Sequence, residues 1–185
     1  MKKAIIYFSI VIIFTFSLSI KAQSWKYNSG GNPFDGKYKT ASIKGTGSDY
    51  PYNNPVLAIN LYNEESLNFY ITNAGYFQSV SNIEILWIFN NESNTVYSSD
   101  DFSISKEGKT LFFESFFNKL KGESLSTIDF INKLKAANKV NVRIKNKYGK
   151  NDVQFSLTGS TKAIEYVITQ KYLKFVKSYD EYIKK

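Results

Sequence analysis

Residues 140–157 read VNVRIKNKYGKNDVQFSL, and the alternation inside this stretch decides the fold class. Val140, Val142 and Ile144 fall on one side of an extended chain, while Asn141, Arg143, Lys145 and Lys147 fall on the other. After Tyr148-Gly149, Val153, Phe155 and Leu157 alternate with Gln154 and Ser156. Successive side chains of a strand point to opposite faces, so a period of two with one apolar set marks a strand buried on one side. Outward from here the period recurs. Leu57, Ile59 and Leu61 share a face; Leu67, Phe69 and Ile71 alternate with Asn68, Tyr70 and Thr72; Ile83, Ile85, Trp87 and Phe89 share another. The joints are turn chemistry: KGTGSD at 44–49, PYNNP at 51–55, NNESN at 90–94, Glu107-Gly108 and Tyr148-Gly149. One-faced strands with such short joints favour antiparallel pairing over a wound parallel sheet.

Two segments carry helical period instead. Ser126-Thr127-Ile128-Asp129 has the form of a capping box, with Phe130, Ile131 and Leu134 behind it and an end near Asn138. From Ser160 or Thr161, either of which would cap it, Ile164, Val167, Ile168, Leu173, Phe175, Val176, Tyr179 and Ile183 keep the helical spacing. That spacing predicts a C-terminal helix of about 20 to 25 residues. Its first half is expected on the sheet, and its last turns, with Tyr179 and Tyr182, are expected to project toward a partner or a membrane surface. The expected fold class is mainly β, with α+β at the margin: an antiparallel β-sandwich or open barrel with a short internal helix and a long C-terminal helix.

The chain of 185 residues is 43% hydrophobic, 17% aromatic and 22% charged, a composition that supports a folded core and one domain. Residues 1–22 read as a secretory signal peptide: Lys2 and Lys3 open it, Ala4 to Ile20 carry no charge, and Lys21-Ala22 close it before a cut ahead of Gln23. An uncleaved anchor is the competing reading, since the uncharged run sits at the lower limit of a bilayer span; its Ser, Thr and Tyr residues weigh against that. Residues 23–36 show no periodicity and read as an extended arm, and 37–185 as a single β-rich domain. Cysteine and histidine are absent, which excludes thiolate nucleophiles, disulfides, Cys or His metal sites and His-based triads. No cofactor or metal is expected. Loss of the leader removes three lysines and lowers the formal net charge from +8 to +5. Every basic residue except Arg143 is lysine, and arginine is the preferred fork for phosphates and base edges, so no nucleic-acid partner is expected.

Residues Lys109 to Phe113 (KTLFF), the helix through Phe130, Ile131 and Leu134, the strand Val140 to Arg143, and Val153 to Ala163 (VQFSLTGSTKA) together resemble a group of envelope proteins. These are the periplasmic proteins associated with type VI secretion and the related invasion-associated locus B type. Phe155, Leu157, Gly159 and Ala163 fall at the matching places of the group's Phe-x-Leu-x-Gly-x-x-x-Ala ending. The resemblance implies a fold and a periplasmic or secreted location. It lends no catalytic residues, and the missing cysteines mean that a disulfide-stabilised version is not implied. From the residues themselves, Gly159 lets the chain leave its strand sharply and Ala163 lets the helix approach the sheet.

Residues 133–150 hold seven basic groups and no acidic one: Lys133, Lys135, Lys139, Arg143, Lys145, Lys147 and Lys150. Such a stripe, with Lys139, Arg143, Lys145 and Lys147 as candidate binding residues, suits an anionic surface; equally, lysines on a strand discourage edge-to-edge pairing. Ser103-Ile104-Ser105-Lys106 matches the S-x-x-K of serine-lysine acyl-enzymes but lies in a strand leading to a turn, without the helix that motif needs. Glu84, Glu114 and Asp152 border hydrophobic strands and are candidates for paired-carboxylate glycoside hydrolysis, each on a polar face. Asp100-Asp101 and Glu64-Glu65 lack a calcium-loop ladder, and Gly45-Thr46-Gly47 precedes no helix that would cradle phosphate. Trp25, Tyr50, Tyr52, Tyr70, Tyr76 and Phe77 lie in or near loops and polar faces, where aromatics stack on sugars, anchor a partner or simply form a half-buried rim. The expectation is an exported, non-catalytic binding or accessory module of the cell envelope for a protein, a glycan or an anionic surface. The alternative is a carboxylate-based envelope hydrolase. No transmembrane helix is expected once the leader is cleaved.

Overall fold

The computed structural model describes residues 24–32, 34, 36–47, 54–174 and 176. The leader, Tyr50, Tyr52, parts of the 44–49 and 51–55 joints, and Phe175, Tyr179, Tyr182 and Ile183 of the C-terminal run lie outside them. Two antiparallel sheets are present. The first has the order β1 (Lys26–Asn32), β2 (Gly36–Lys44), β4 (Val56–Tyr62), β5 (Ser66–Thr72), β9 (Thr110–Phe113) and β8 (Phe102–Ile104). The second has the order β11 (Glu123–Leu125), β10 (Phe116–Asn118), β7 (Tyr97–Ser98), β6 (Glu84–Phe89), β12 (Lys139–Asn146), β13 (Gly149–Ser156) and β3 (Thr46–Gly47). In the chain, α1 (Thr127–Ala136) lies between β11 and β12, and α2 (Ser160–Val167) follows β13.

The period-two faces are the buried faces. Val140, Val142, Ile144, Val153 and Phe155 are buried on β12 and β13, and Ile85, Trp87 and Phe89 on β6. Leu57, Ile59, Leu61, Phe69 and Ile71 line the facing sheet. The layers meet through aromatic edges: Trp87 lies 5.0 Å from Phe113, and Phe69 lies 5.9 Å from Phe116. The indole N–H of Trp87 is satisfied inside this core by the Ser99 hydroxyl at 2.9 Å. The chain crosses from the first sheet to the second between β2 and β3 at Gly45. A Cβ there would sit 2.5 Å from the Gln154 carbonyl oxygen and 2.6 Å from the Phe155 ring, so only glycine fits the corner.

The capping box forms as its residues require. The Ser126 hydroxyl accepts from the Asp129 N–H at 3.1 Å, α1 follows, and its Phe130, Ile131 and Leu134 are buried. Phe130 stacks on Phe116 at 3.4 Å between centroids and stands edge-on to Phe69, Trp87 and Phe89.

Three expectations change. The residues read as an unperiodic arm form β1, paired over its whole length with β2. All seven of its residues are exposed, so neither face is apolar and no period is written into it; Trp25, just before it, is buried rather than on a polar face. The cap of α2 is Gly159 at φ 83, without a side-chain cap bond, rather than Ser160 or Thr161. Ser160 instead turns inward and donates to the Leu134 carbonyl at 2.6 Å, tying α2 to α1. Finally, the long C-terminal helix does not form. Helix α2 stops at Val167 with Ile168 extended at ψ 114. A new helical turn starts at Gln170, capped by Thr169, whose hydroxyl accepts from the Tyr172 N–H at 3.2 Å and whose carbonyl accepts from the Leu173 N–H at 3.1 Å. The apolar spacing runs through the break unchanged because Ile168 and Tyr172 are buried on both sides of it. Among the described residues, no helix is long and apolar enough to cross a membrane.

Candidate functional site

Strand β12 presents the basic stripe as the alternation requires, with Lys139, Arg143 and Lys145 exposed and Lys147 in the turn to β13. Its neighbours, however, supply acids that the local sequence does not contain. Arg143 pairs with Asp152 across β12–β13, Nε to Oδ1 at 2.7 Å and Nη2 to Oδ2 at 2.8 Å. The hydrogen bond from Arg143 holds the Asp152 carboxyl below the usual carboxylate range. Glu84, opposite Lys145 on β6, takes Lys119 at 3.2 Å and Lys145 at 4.0 Å. Lys133, on α1, reaches Glu92 in the β6–β7 loop, with Nζ 2.9 Å from both carboxylate oxygens. The middle of the stripe is thus an internally compensated sheet face, completed by the Gln154 amide donating to Asn141 at 2.8 Å. Lys139 stands apart at the other end of β12 from Lys147.

The same contacts bear on the carboxylates. Asp152 and Glu84 are each engaged by cations on the outer face of the second sheet. Glu92 is also held low, first by the hydrogen bond from the Tyr97 hydroxyl and then by Lys133, against the opposing effect of burial. Ser103 lies on β8, an edge strand, and Lys106 in the turn beyond it, so the S-x-x-K residues never share a helix face.

What the structure brings together, and the sequence does not announce, is a cleft of about 470 Å³ between the 74–83 loop and the β12–β13 hairpin. The loop crosses one end of the two sheets and is pinned to both. The Asn151 amide of β13 donates to the Ala74 carbonyl, and the Phe77 N–H donates to Gly108, in the β8–β9 turn, at 2.8 Å. Phe77 is buried and plugs the end of the core. Tyr76, beside it, is 51% exposed, its ring lying over Gly108. The opposite wall is the hairpin turn, where Asn146 Oδ1 accepts from the N–H groups of Tyr148 and Gly149 at 2.9 and 3.1 Å. That Asx turn holds Tyr148 76% exposed, with the Lys147 ammonium 4.8 Å from its ring centroid. Gln78, Asn82, Lys147 and Lys150 also line it, with the hydroxyls of Ser79 and Ser81. No carboxylate lines this cleft, and neither Lys147 nor Lys150 has one within ion-pair distance among the described residues. Of the aromatics singled out from sequence, Tyr76 belongs here, whereas Trp25 and Phe77 are core and Tyr70 packs on Phe112 at 5.5 Å. Tyr148 escaped notice because a turn tyrosine carries no periodic signal.

No protein-family model, no curated protein and no solved structure matches the chain.

Proposed function

We propose that this chain is an exported, non-catalytic binding module of the cell envelope, a β-sandwich that seats a glycan in the cleft between the 74–83 loop and the β12–β13 hairpin. Export, to the periplasm or beyond, is supported by the leader and by the resemblance to type VI secretion-associated and invasion-associated locus B-like envelope proteins. The observation that carries the binding reading is the pair of exposed rings, Tyr76 and Tyr148, on two pinned walls of one cleft whose remaining polar lining is amide, hydroxyl and ammonium. Sugar rings offer C–H faces that lie on aromatic rings, and vicinal hydroxyls that pair with one amide, one accepting from its N–H and the other donating to its carbonyl oxygen. Gln78 and Asn82 supply such amides, and neither side chain has a hydrogen-bond partner among the described residues. A cleft of this volume is within the usual range for small-ligand sites, roughly 300–1,000 Å³.

The test is a glycan array probed with the purified protein and its Tyr148→Ala and Tyr76→Ala variants. Binding to a defined set of glycans that falls tenfold or more in either variant, with unchanged circular dichroism, supports the reading. An array without signal, or signal indifferent to both substitutions, refutes it.

A further inference from the structure

The 74–83 loop has a second cleft on its other side, about 620 Å³, walled by Phe102, Ser103, Ile104, Ser105, Lys106 and Gly108. The two clefts share Tyr76, Phe77, Gln78 and Ser79, so the loop is a ridge between them and Tyr76 stands on its crest. Both are charged in the same sense. Lys147 and Lys150 line the first and Lys106 the second, while among the described residues no Asp or Glu lines either. Glu107, the nearest acid in sequence to Lys106, belongs to neither lining. The crest is also fixed in place: Gly108, at φ +70, packs so tightly under the loop that a Cβ would meet the Phe77 carbonyl oxygen at 2.7 Å and the Tyr76 ring at 3.1 Å.

Resting on the glycan reading above, we infer that the ligand is a linear anionic polysaccharide that crosses the Tyr76 ridge and places acidic groups in both clefts. A single sugar would fill one cleft and leave Lys106 unused. A chain with repeated carboxylate or sulfate groups meets cations on both sides of one aromatic step, where like-signed walls concentrate the field. Screened attraction of this kind weakens as salt rises.

The experiment is calorimetric titration with oligogalacturonate, alginate and chondroitin sulfate fragments of increasing length, beside neutral counterparts: methyl-esterified oligogalacturonate and alginate, and unsulfated, carboxyl-reduced chondroitin. At least one acidic series is expected to tighten tenfold or more as length grows past a few sugars, to weaken with added salt, and to bind tenfold better than its neutral counterpart. Lys106→Gln should weaken only the long fragments, whereas Lys147→Gln should weaken short and long alike. Neutral chains binding as well as acidic ones, or affinity independent of length and of Lys106, overturn the inference while leaving a glycan site standing. If no saccharide binds in either form, the glycan reading fails together with it.

Discussion

Replacing Phe130 by alanine tests whether α1 belongs to the cooperative core. Phe130 is fully buried, with Phe116 stacked on one face and Phe69, Trp87 and Phe89 at 5.1, 5.6 and 6.0 Å. Phe69 comes from the first sheet, Trp87, Phe89 and Phe116 from the second, so this one ring joins both layers to the helix. Truncating a buried Phe to Ala costs about 3–5 kcal/mol, the transfer of the lost ring plus the cavity left behind. Here the upper half of that range applies, about 4 kcal/mol, because the surrounding rings are held by two hydrogen-bonded sheets and cannot close over the void. The pairwise edge contacts, each about 0.5–1.5 kcal/mol beyond area burial, disappear at the same time and are part of that figure. Against a domain stability of about 5–15 kcal/mol the variant is folded but marginal. Phe130→Leu, which retains most of the volume, should cost about 1–2 kcal/mol. Urea titration followed by tryptophan fluorescence reads both, since Trp87 is one of the two reporters. A loss below about 1.5 kcal/mol for the alanine variant, at unchanged denaturant slope, would mean that the helix frays independently and that the core closes without it.

Acid should weaken the protein partly through Glu92. The hydrogen bond from Tyr97 holds its carboxyl below the ordinary carboxylate range, so its contribution is present above the unfolded value and is lost as pH falls through the folded one. Wild-type urea midpoints should therefore drop between about pH 5 and 3 by more than those of Glu92→Gln, the difference being on the order of 1 kcal/mol for a partly exposed pair; equal slopes would refute the assignment, since Asp152 titrates identically in both proteins. Gly108→Ala, which introduces a strained positive φ and a Cβ against the Tyr76 ring, should cost about 1–2 kcal/mol of stability and weaken glycan binding on both sides of the ridge; wild-type affinity would mean that the placement of Tyr76 is irrelevant. If the chain is exported as proposed, mass spectrometry of the protein recovered from the envelope should find it lacking residues 1–22; recovery with Met1 attached would contradict the leader.

The parts of the fold written in the sequence are those where one face is buried and the other wet. Val140, Val142 and Ile144 alternate with polar neighbours because the core lies on one side only, and Ser126 with Asp129 reports its own helix start because the bonds involved are local. Where burial follows another rule, the pattern fails. In β1 every residue is exposed, even Tyr27 with its ring edge-on to Tyr166, so there is no buried set to alternate. At Ile168 and Thr169 the chain changes direction, yet the residues before and after the break are buried, so the apolar spacing of one long helix persists across two short ones. The ion pairs were equally out of reach: seven cations without an acid between 133 and 150 look like a free surface until Asp152, Glu84 and Glu92 are brought alongside from β13, β6 and the loop beyond it.

That compensation also explains why the candidate site lies where it does. At one end of the sheets, α1 and the start of α2 close the core with Phe130 and with the bond from Ser160 to Leu134, and the nearby lysine Lys133 is spent on Glu92. At the opposite end no helix caps the layers among the described residues, and the 74–83 loop does so with Phe77 as its one large buried side chain beside Ala74 and Gly75. A loop that gives one aromatic to the core leaves its remaining side chains to solvent, and here they face a hairpin whose eight-residue register with β12 fixes Lys147, Tyr148 and Lys150. Recognition residues on mobile loops lose affinity to the cost of ordering them; here hydrogen bonds from Asn151 to Ala74, from Phe77 to Gly108 and from Tyr148 to Asn146 hold the loop and hairpin, which lowers that cost. The ring cluster around Phe130 and the residues proposed to bind are thus on different ends of the molecule. Substitutions at the two ends should accordingly add rather than couple, so a loss of binding at Tyr148 can be read as chemistry at the cleft.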